Sequence, residues 1–250
     1  MKSIVAVLVV LVVCAGANAT LLSQHAFEGN WNNGVPGGYA GVSVNGATLA
    51  VDAGKNVVDM SGSTSWVQVG TDPLVTNCFT TQMTIGGFVR NTSPTYTSLT
   101  RMLGKGFNWY INLTNSGKNA GFYFRDAATP TLVTSIVGTA IINDGLWHHI
   151  AATWDSVTGE ASLYVDGNLD ATMIRTATSI SNGVTADRYG IGARSTGATA
   201  GSNIYRGMMD DLRVYNNALT MEEIAEWAVP EPMTMALLGL GSMFMIRRKK

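Results

Sequence analysis

Three histidines, seventeen carboxyl side chains and two cysteines are the groups with which this 250-residue chain could do acid–base, nucleophilic or metal chemistry. His148 and His149 are adjacent, and neighbours on a strand point to opposite faces, so one metal cannot take both without a bulge. His25 is the only other imidazole. Metal sites need convergent ligands, so a structural role is expected, with one imidazole bonded to a neighbouring backbone or hydroxyl group. Cleavage of a glycosidic bond with retention needs two carboxyls about 5 Å apart. An E-x-D spacing on a strand would align them, but Glu28 and Glu160 stand alone. Glu222, Glu223 and Glu226 fall together in one helical segment, where acidic residues suit the N-terminal end of the dipole. No nucleophile elbow, Cys–His pair or glycine-rich phosphate loop is written here, and no catalytic residue is assigned.

Other side chains could bind rather than react. Strand parity sets Trp66 with Gln68 and away from Val67 and Val69. It sets Tyr110 with Asn108 and Asn112, and Trp31 lies in a Gly/Asn-rich loop. Trp31, Trp66 and Tyr110 are therefore the candidates for an exposed aromatic platform. Asp210 is the candidate for a structural calcium site. In the run Met208–Val214 it shares parity with Met208, Leu212 and Val214, so it is expected to point inward or to a sheet edge. No lysine or arginine shares that face. A buried carboxylate must be paired, hydrogen-bonded or metal-bound. Calcium takes oxygen ligands, backbone carbonyls included; the alternative is a carboxylate satisfied by backbone N–H groups.

These residues are carried by short strands. Met83, Ile85 and Val89, then Trp109, Ile111 and Leu113, then Ala161, Leu163 and Val165, alternate with polar or smaller neighbours. That is the period of a half-buried strand. Asp166-Gly167 is a hairpin turn signal, because both central residues of such a turn need positive φ. Thr158-Gly159 marks another turn. The glycine-rich stretch Ser195–Ser202 reads as a long loop. One helix is clear near 220–227: Thr220 and Glu223 have capping-box spacing, and Leu219 with Ile224 forms a hydrophobic staple. The expected fold is an all-β, two-sheet antiparallel sandwich of jelly-roll type.

Both ends differ from this middle. Lys2, the apolar run Ile4–Val13 and Ala17-Asn18-Ala19 form the three parts of a secretory signal peptide, 1–19, cut after Ala19. The apolar run is short for an uncleaved span, which needs about 20 residues. At the other end Pro230, Glu231 and Pro232 precede the uncharged run Met233–Ile246, and Arg247, Arg248, Lys249 and Lys250 close the chain. The run is about 21 Å long as a helix, and its basic flank can snorkel and mark a cytoplasmic side. A transmembrane helix at 233–246 is expected, within a tail of 229–250. The segment between, 20–228, holds 11 basic and 16 acidic residues, a net of −5. No basic stripe appears, which argues against nucleic acid as a partner. Cys14 leaves with the signal peptide, so Cys78 is expected to be a buried, unpaired thiol.

Several stretches resemble one family. Gly145-Leu146-Trp147-His148-His149-Ile150-Ala151, Leu163-Tyr164-Val165-Asp166-Gly167 and Gly207–Thr220 (GMMDDLRVYNNALT) are similar, in order and spacing, to segments of laminin-G-like, concanavalin-A-like lectin domains. Ala26-Phe27-Glu28-Gly29-Asn30 resembles their opening strand. Val57–Gly62 echoes the family only loosely. The resemblance implies a binding module for extracellular polysaccharide or a surface protein. The alternatives are a purely structural envelope or matrix component, and a glycan-cleaving enzyme. It also implies calcium where the closing strand's first aspartate, Asp210, meets the opening strand near Glu28 and Gly29. The tail resembles the PEP-CTERM sorting signal. That likeness implies processing by an exosortase, transient membrane anchoring, and display at the cell surface or in the matrix of a Gram-negative bacterium.

Overall fold

A computed structural model describes residues 19–62, 64–72, 75, 81–91, 100–114, 118–175, 179–181, 187–196 and 202–229. The expected signal segment up to residue 18, Cys78, and the tail with Pro230, Glu231, Pro232, the 233–246 helix, Arg247 and Arg248 lie outside the described residues. The strands are β1 (Leu21–His25), β2 (Val42–Val44), β3 (Thr48–Asp52), β4 (Lys55–Asp59), β5 (Trp66–Gly70), β6 (Gln82–Asn91), β7 (Thr100–Lys105) and β8 (Trp109–Thr114). They continue as β9 (Asn119–Arg125), β10 (Val133–Val137), β11 (Trp147–Asp155), β12 (Glu160–Val165), β13 (Asn168–Ile174), β14 (Asp187–Ile191), β15 (Ser195–Thr196) and β16 (Gly207–Tyr215). One helix follows, α1 (Met221–Trp227).

The strands form two antiparallel sheets packed as a jelly-roll sandwich. Sheet I runs β13-β12-β11-β6-β16-β4-β3, with β1 also on β16. Sheet II runs β10-β9-β8-β7-β14-β5-β2, with β15 also on β14. The alternation read from the sequence supplies the core between them. Met83, Ile85, Ile150, Ala152, Trp154 and Leu163 of sheet I are fully buried against Trp109, Ile111, Phe122 and Phe124 of sheet II. Trp154 meets Phe124 with ring centroids 5.0 Å apart. Asp166 (φ 50°) and Gly167 (φ 77°) make the β12–β13 hairpin with the positive φ values such a turn requires.

The helix also forms as its sequence predicts. The Thr220 side chain accepts from the Glu223 N–H at 3.2 Å, and the Glu223 carboxylate accepts from the Thr220 N–H at 2.7 Å. Leu219 and Ile224 then pack with Trp227, Phe88, Ala151 and Tyr164 as a second, smaller apolar cluster. That cluster covers the outer face of sheet I, so β6 and β11 are buried on both sides. The stretch Ser195–Ser202 begins with the short strand β15, and Ser202 returns to bridge Arg194.

One parity expectation fails. β16 has a register break between Asp210 and Arg213, and Asp211 takes a left-handed φ of 45°. The extra residue of a bulge reverses which side chains face inward. Met209 is therefore core before the break, and Leu212 and Val214 are core after it. Met208 and Asp210 lie on the outer side, with Asp211, Arg213 and Tyr215. Gly86-Gly87 sits opposite on β6; a Cβ on Gly87 would lie only 2.9 Å from Leu212 Cα. Gly87 thus lets the bulged strand approach, while Gly86 does the same for β11, where a Cβ would run into the Ile150 carbonyl oxygen.

Candidate ligand-binding cleft

The bulge opens a cleft of about 860 Å³ on the outer side of sheet I, between β16, the β3–β4 turn, the start of the chain and α1. Phe88, Tyr215 and Trp227 give it apolar surface, and Asn56, Glu28 and Asp210 give it polar groups. Ala19 and Val229, the two ends of the described residues, both stand on its lining.

Asp211 is the organiser. Its carboxylate accepts from Gln24 Nε2 (2.9 Å), Arg213 Nε (2.9 Å) and Trp227 Nε1 (3.0 Å). Arg213 also pairs with it at 2.6 Å and lies 5.1 Å from the Trp227 ring centroid. This network ties the opening strand, the closing strand and the helix together. Asp210, next to it, is left differently. Its carboxylate accepts from the Asp211 N–H at 2.7 Å, and no ion pair involves it among the described residues. Burial, with Asp211 and Glu28 adding negative charge, pushes its pKa up to about 7 against the Asp211 N–H and Lys55. A carboxyl so perturbed in a cleft marks a candidate site.

The expected calcium residues are thus partly assembled. Asp210 and Glu28 share the cleft, but Asp210 gets there as an outward residue of a bulge and not as an inward one. Glu28 is held by Asn56 Nδ2 at 2.6 Å. Gly29 sits in an exposed turn (φ 71°) that is not part of the lining. Among the described residues no three His, Cys, Asp or Glu side chains converge as metal ligands. Two carboxylates, one of them without an ion pair among the described residues, are nonetheless donors of the kind a hard, oxygen-seeking cation takes.

The aromatic candidates do not form one platform. Trp66 is 1% exposed, which corrects its expected exposure. It does lie on the outer face of sheet II, but the turn through Ala193 and Ser195 folds over that face beside Gly190 and the Trp66 ring. Tyr110 is also buried, at 7%. It stacks on Tyr123 (4.4 Å, 12°) and is covered by the Arg101 guanidinium. Trp31 is half-buried, edge-on to Phe27 at 6.2 Å.

The three histidines are all largely buried. His148 bonds to Asp166 (2.9 Å) and Asp144 (3.0 Å), two carboxylates in place of the backbone or hydroxyl partner expected. Burial disfavours its charge, but the two carboxylates outweigh that and hold its pKa above the ordinary value. His149 packs between Phe88 and Trp227, and burial lowers its pKa to about 4, as it does for His25. Sequence reasoning missed Asp211 and Trp227 as partners. Their link depends on a bulge that strand parity does not reveal.

Comparison with known proteins agrees with this architecture. A model of the concanavalin A-like lectin/glucanases superfamily matches residues 61–225, and the chain belongs to that family. The PEP-CTERM protein-sorting motif matches residues 228–250. Among solved structures, domain 4 of AbnA, a GH43 extracellular arabinanase from Geobacillus stearothermophilus in complex with arabinotriose, superposes with a TM-score of 0.63 at 17% identity. That match covers 84% of this chain and 99% of that one. The CBM40 of Ruminococcus gnavus IT-sialidase, bound to α2,3 sialyllactose, superposes at 0.54 and 16%, covering 75% and 98%. Pentraxin-related protein PTX3 of Homo sapiens is 30% identical over 99 residues, 36% of this chain and a quarter (25%) of that protein.

Proposed function

We propose that this chain is a non-catalytic glycan-binding module displayed at a cell surface, with the cleft on sheet I as its ligand site. The observation that carries this reading is the cleft itself. It sets Phe88, Tyr215 and Trp227 beside carboxylate and amide side chains, the mixture of apolar surface and a few placed polar groups that binding sites use. Family membership supports it, and two neighbours of the same fold hold oligosaccharides by their descriptions. A calcium ion would be held by Asp210 and Glu28, and it would supply the positive charge Asp210 lacks. Export is assigned to the signal segment 1–19. Sorting is assigned to the tail, as an exosortase substrate that sits transiently in the membrane. A glycan array probed with the full chain in detergent tests the reading. Lys55→Ala with Asn56→Ala at the rim should weaken any hit at least about tenfold, roughly the loss of one or two hydrogen bonds. A hit indifferent to these changes would remove the cleft, and an array without hits would leave a structural component of the envelope or matrix.

A further inference from the structure

The outer face of sheet II, on the far side of the sandwich from the cleft, carries a basic cluster. Tyr110 and Tyr123 are directly opposed across the β8–β9 pair. Gly104 opposes Tyr110 on β7, with no room for a Cβ against it. Farther along β7, Arg101 lays its guanidinium 3.5 Å from the Tyr110 ring centroid and donates to the Gly106 carbonyl. Gly106 (φ 48°) turns the β7–β8 hairpin and places Phe107, 41% exposed, at its tip. Three guanidiniums gather round that ring: Arg194 at 3.9 Å, Arg125 at 5.5 Å and Arg101 at 5.8 Å from its centroid.

Among the described residues the ion pairs fall to Arg90, His148 and Arg213, and no carboxylate forms one with these three, although that of Asp187 stands beside Gly106. Arg101 is 2% exposed, and its Nε, like that of Arg194, has no hydrogen-bond partner among the described residues. Arg125 Nε donates to the Tyr123 hydroxyl at 2.9 Å. A buried guanidinium without a counter-charge is costly, and like charges crowded together add to that cost. Burial, with Arg194 adding to it against the two tyrosines, draws the Arg101 pKa down to about 10, so it stays charged at neutral pH. The cluster is also out of keeping with a 20–228 segment of net charge −5. An oxyanion satisfies these groups, because the guanidinium fork fits carboxylate, sulfate and phosphate ester alike.

We infer that this face binds an anionic substituent of a polysaccharide. Arg125 and Arg194 grip the oxyanion, Arg101 supplies buried positive charge behind them, and the Phe107 ring lies against the sugar. Only the identity of the carrier as a glycan rests on the function proposed above; the anion site stands on the arginines. The test is binding of polygalacturonate, dextran sulfate and unmodified dextran to the full chain in detergent, by calorimetry at two salt concentrations. At least one polyanion should bind, more weakly at high salt. Arg125→Gln with Arg194→Gln should weaken it at least tenfold at an unchanged melting temperature, and Phe107→Ala should weaken it without altering net charge. Binding of dextran sulfate alone assigns a sulfate or phosphate ester, and binding of polygalacturonate assigns a uronate. Polyanion binding that the arginine variant leaves intact overturns the site, as does failure of both polyanions. Dextran bound equally by parent and arginine variant, with neither polyanion preferred, overturns the anion site while upholding the glycan module.

Discussion

Asp210 is the residue whose environment is least settled by its neighbours. Its pKa is raised from 3.8 to about 7, so across that interval the folded chain binds more proton here than the unfolded chain does. This group's contribution to stability then falls as pH rises from about 4 to about 7, and the penalty is complete above that. Burial of His25 and His149 works the other way over this range, so the fall is read as the difference between melts of the full chain and of Asp210→Asn. The variant's deficit should narrow, or its advantage widen, as pH rises from about 4 to about 7. If a cation shares the cleft, calcium should raise the melting temperature of the parent at pH 8 and leave Asp210→Asn unmoved. A difference between parent and Asp210→Asn that stays constant between about pH 4 and about pH 7 would mean that Asp210 is compensated after all. The sequence singled out this carboxylate because parity left no basic residue on its face; the bulge brings Arg213 to its side, but Arg213 pairs with Asp211 instead. It placed the carboxylate on the wrong side of the strand, because alternation carries no mark of a bulge.

At the scale of elements, local chemistry that is complete within a few residues was legible. The Asp166-Gly167 turn and the Thr220–Glu223 capping box needed no distant partner. The box is also testable: Thr220→Ala should cost about 1 kcal/mol, seen as a lower melting temperature, while Thr220→Ser should retain most of the stability. A variant that melts with the parent would show that packing of Ile224 and Trp227 alone holds α1. Features made by two or more distant segments were not legible. Trp66 has outward parity, yet Ala193 and Ser195 cover it from 127 or more positions along the chain. The arginines at 101, 125 and 194 come from one hairpin, one neighbouring strand and one turn. No spacing in the sequence announces their meeting.

For the molecule as a whole, the tail is the testable part. Deleting Met233–Lys250 should move the protein from the membrane fraction to the medium, read by fractionation and immunoblotting; a truncated chain still in the membrane fraction would show another anchor. The two sheets, meanwhile, have different surroundings. Ala19 and Val229 share the rim of the cleft on sheet I, and the Thr20 N–H donates to Asn216 Oδ1 at 3.2 Å just where the signal segment is expected to be cut. Both ends of the described residues therefore stand at one opening of the same sheet, like two cords tied to the same lip of a bell.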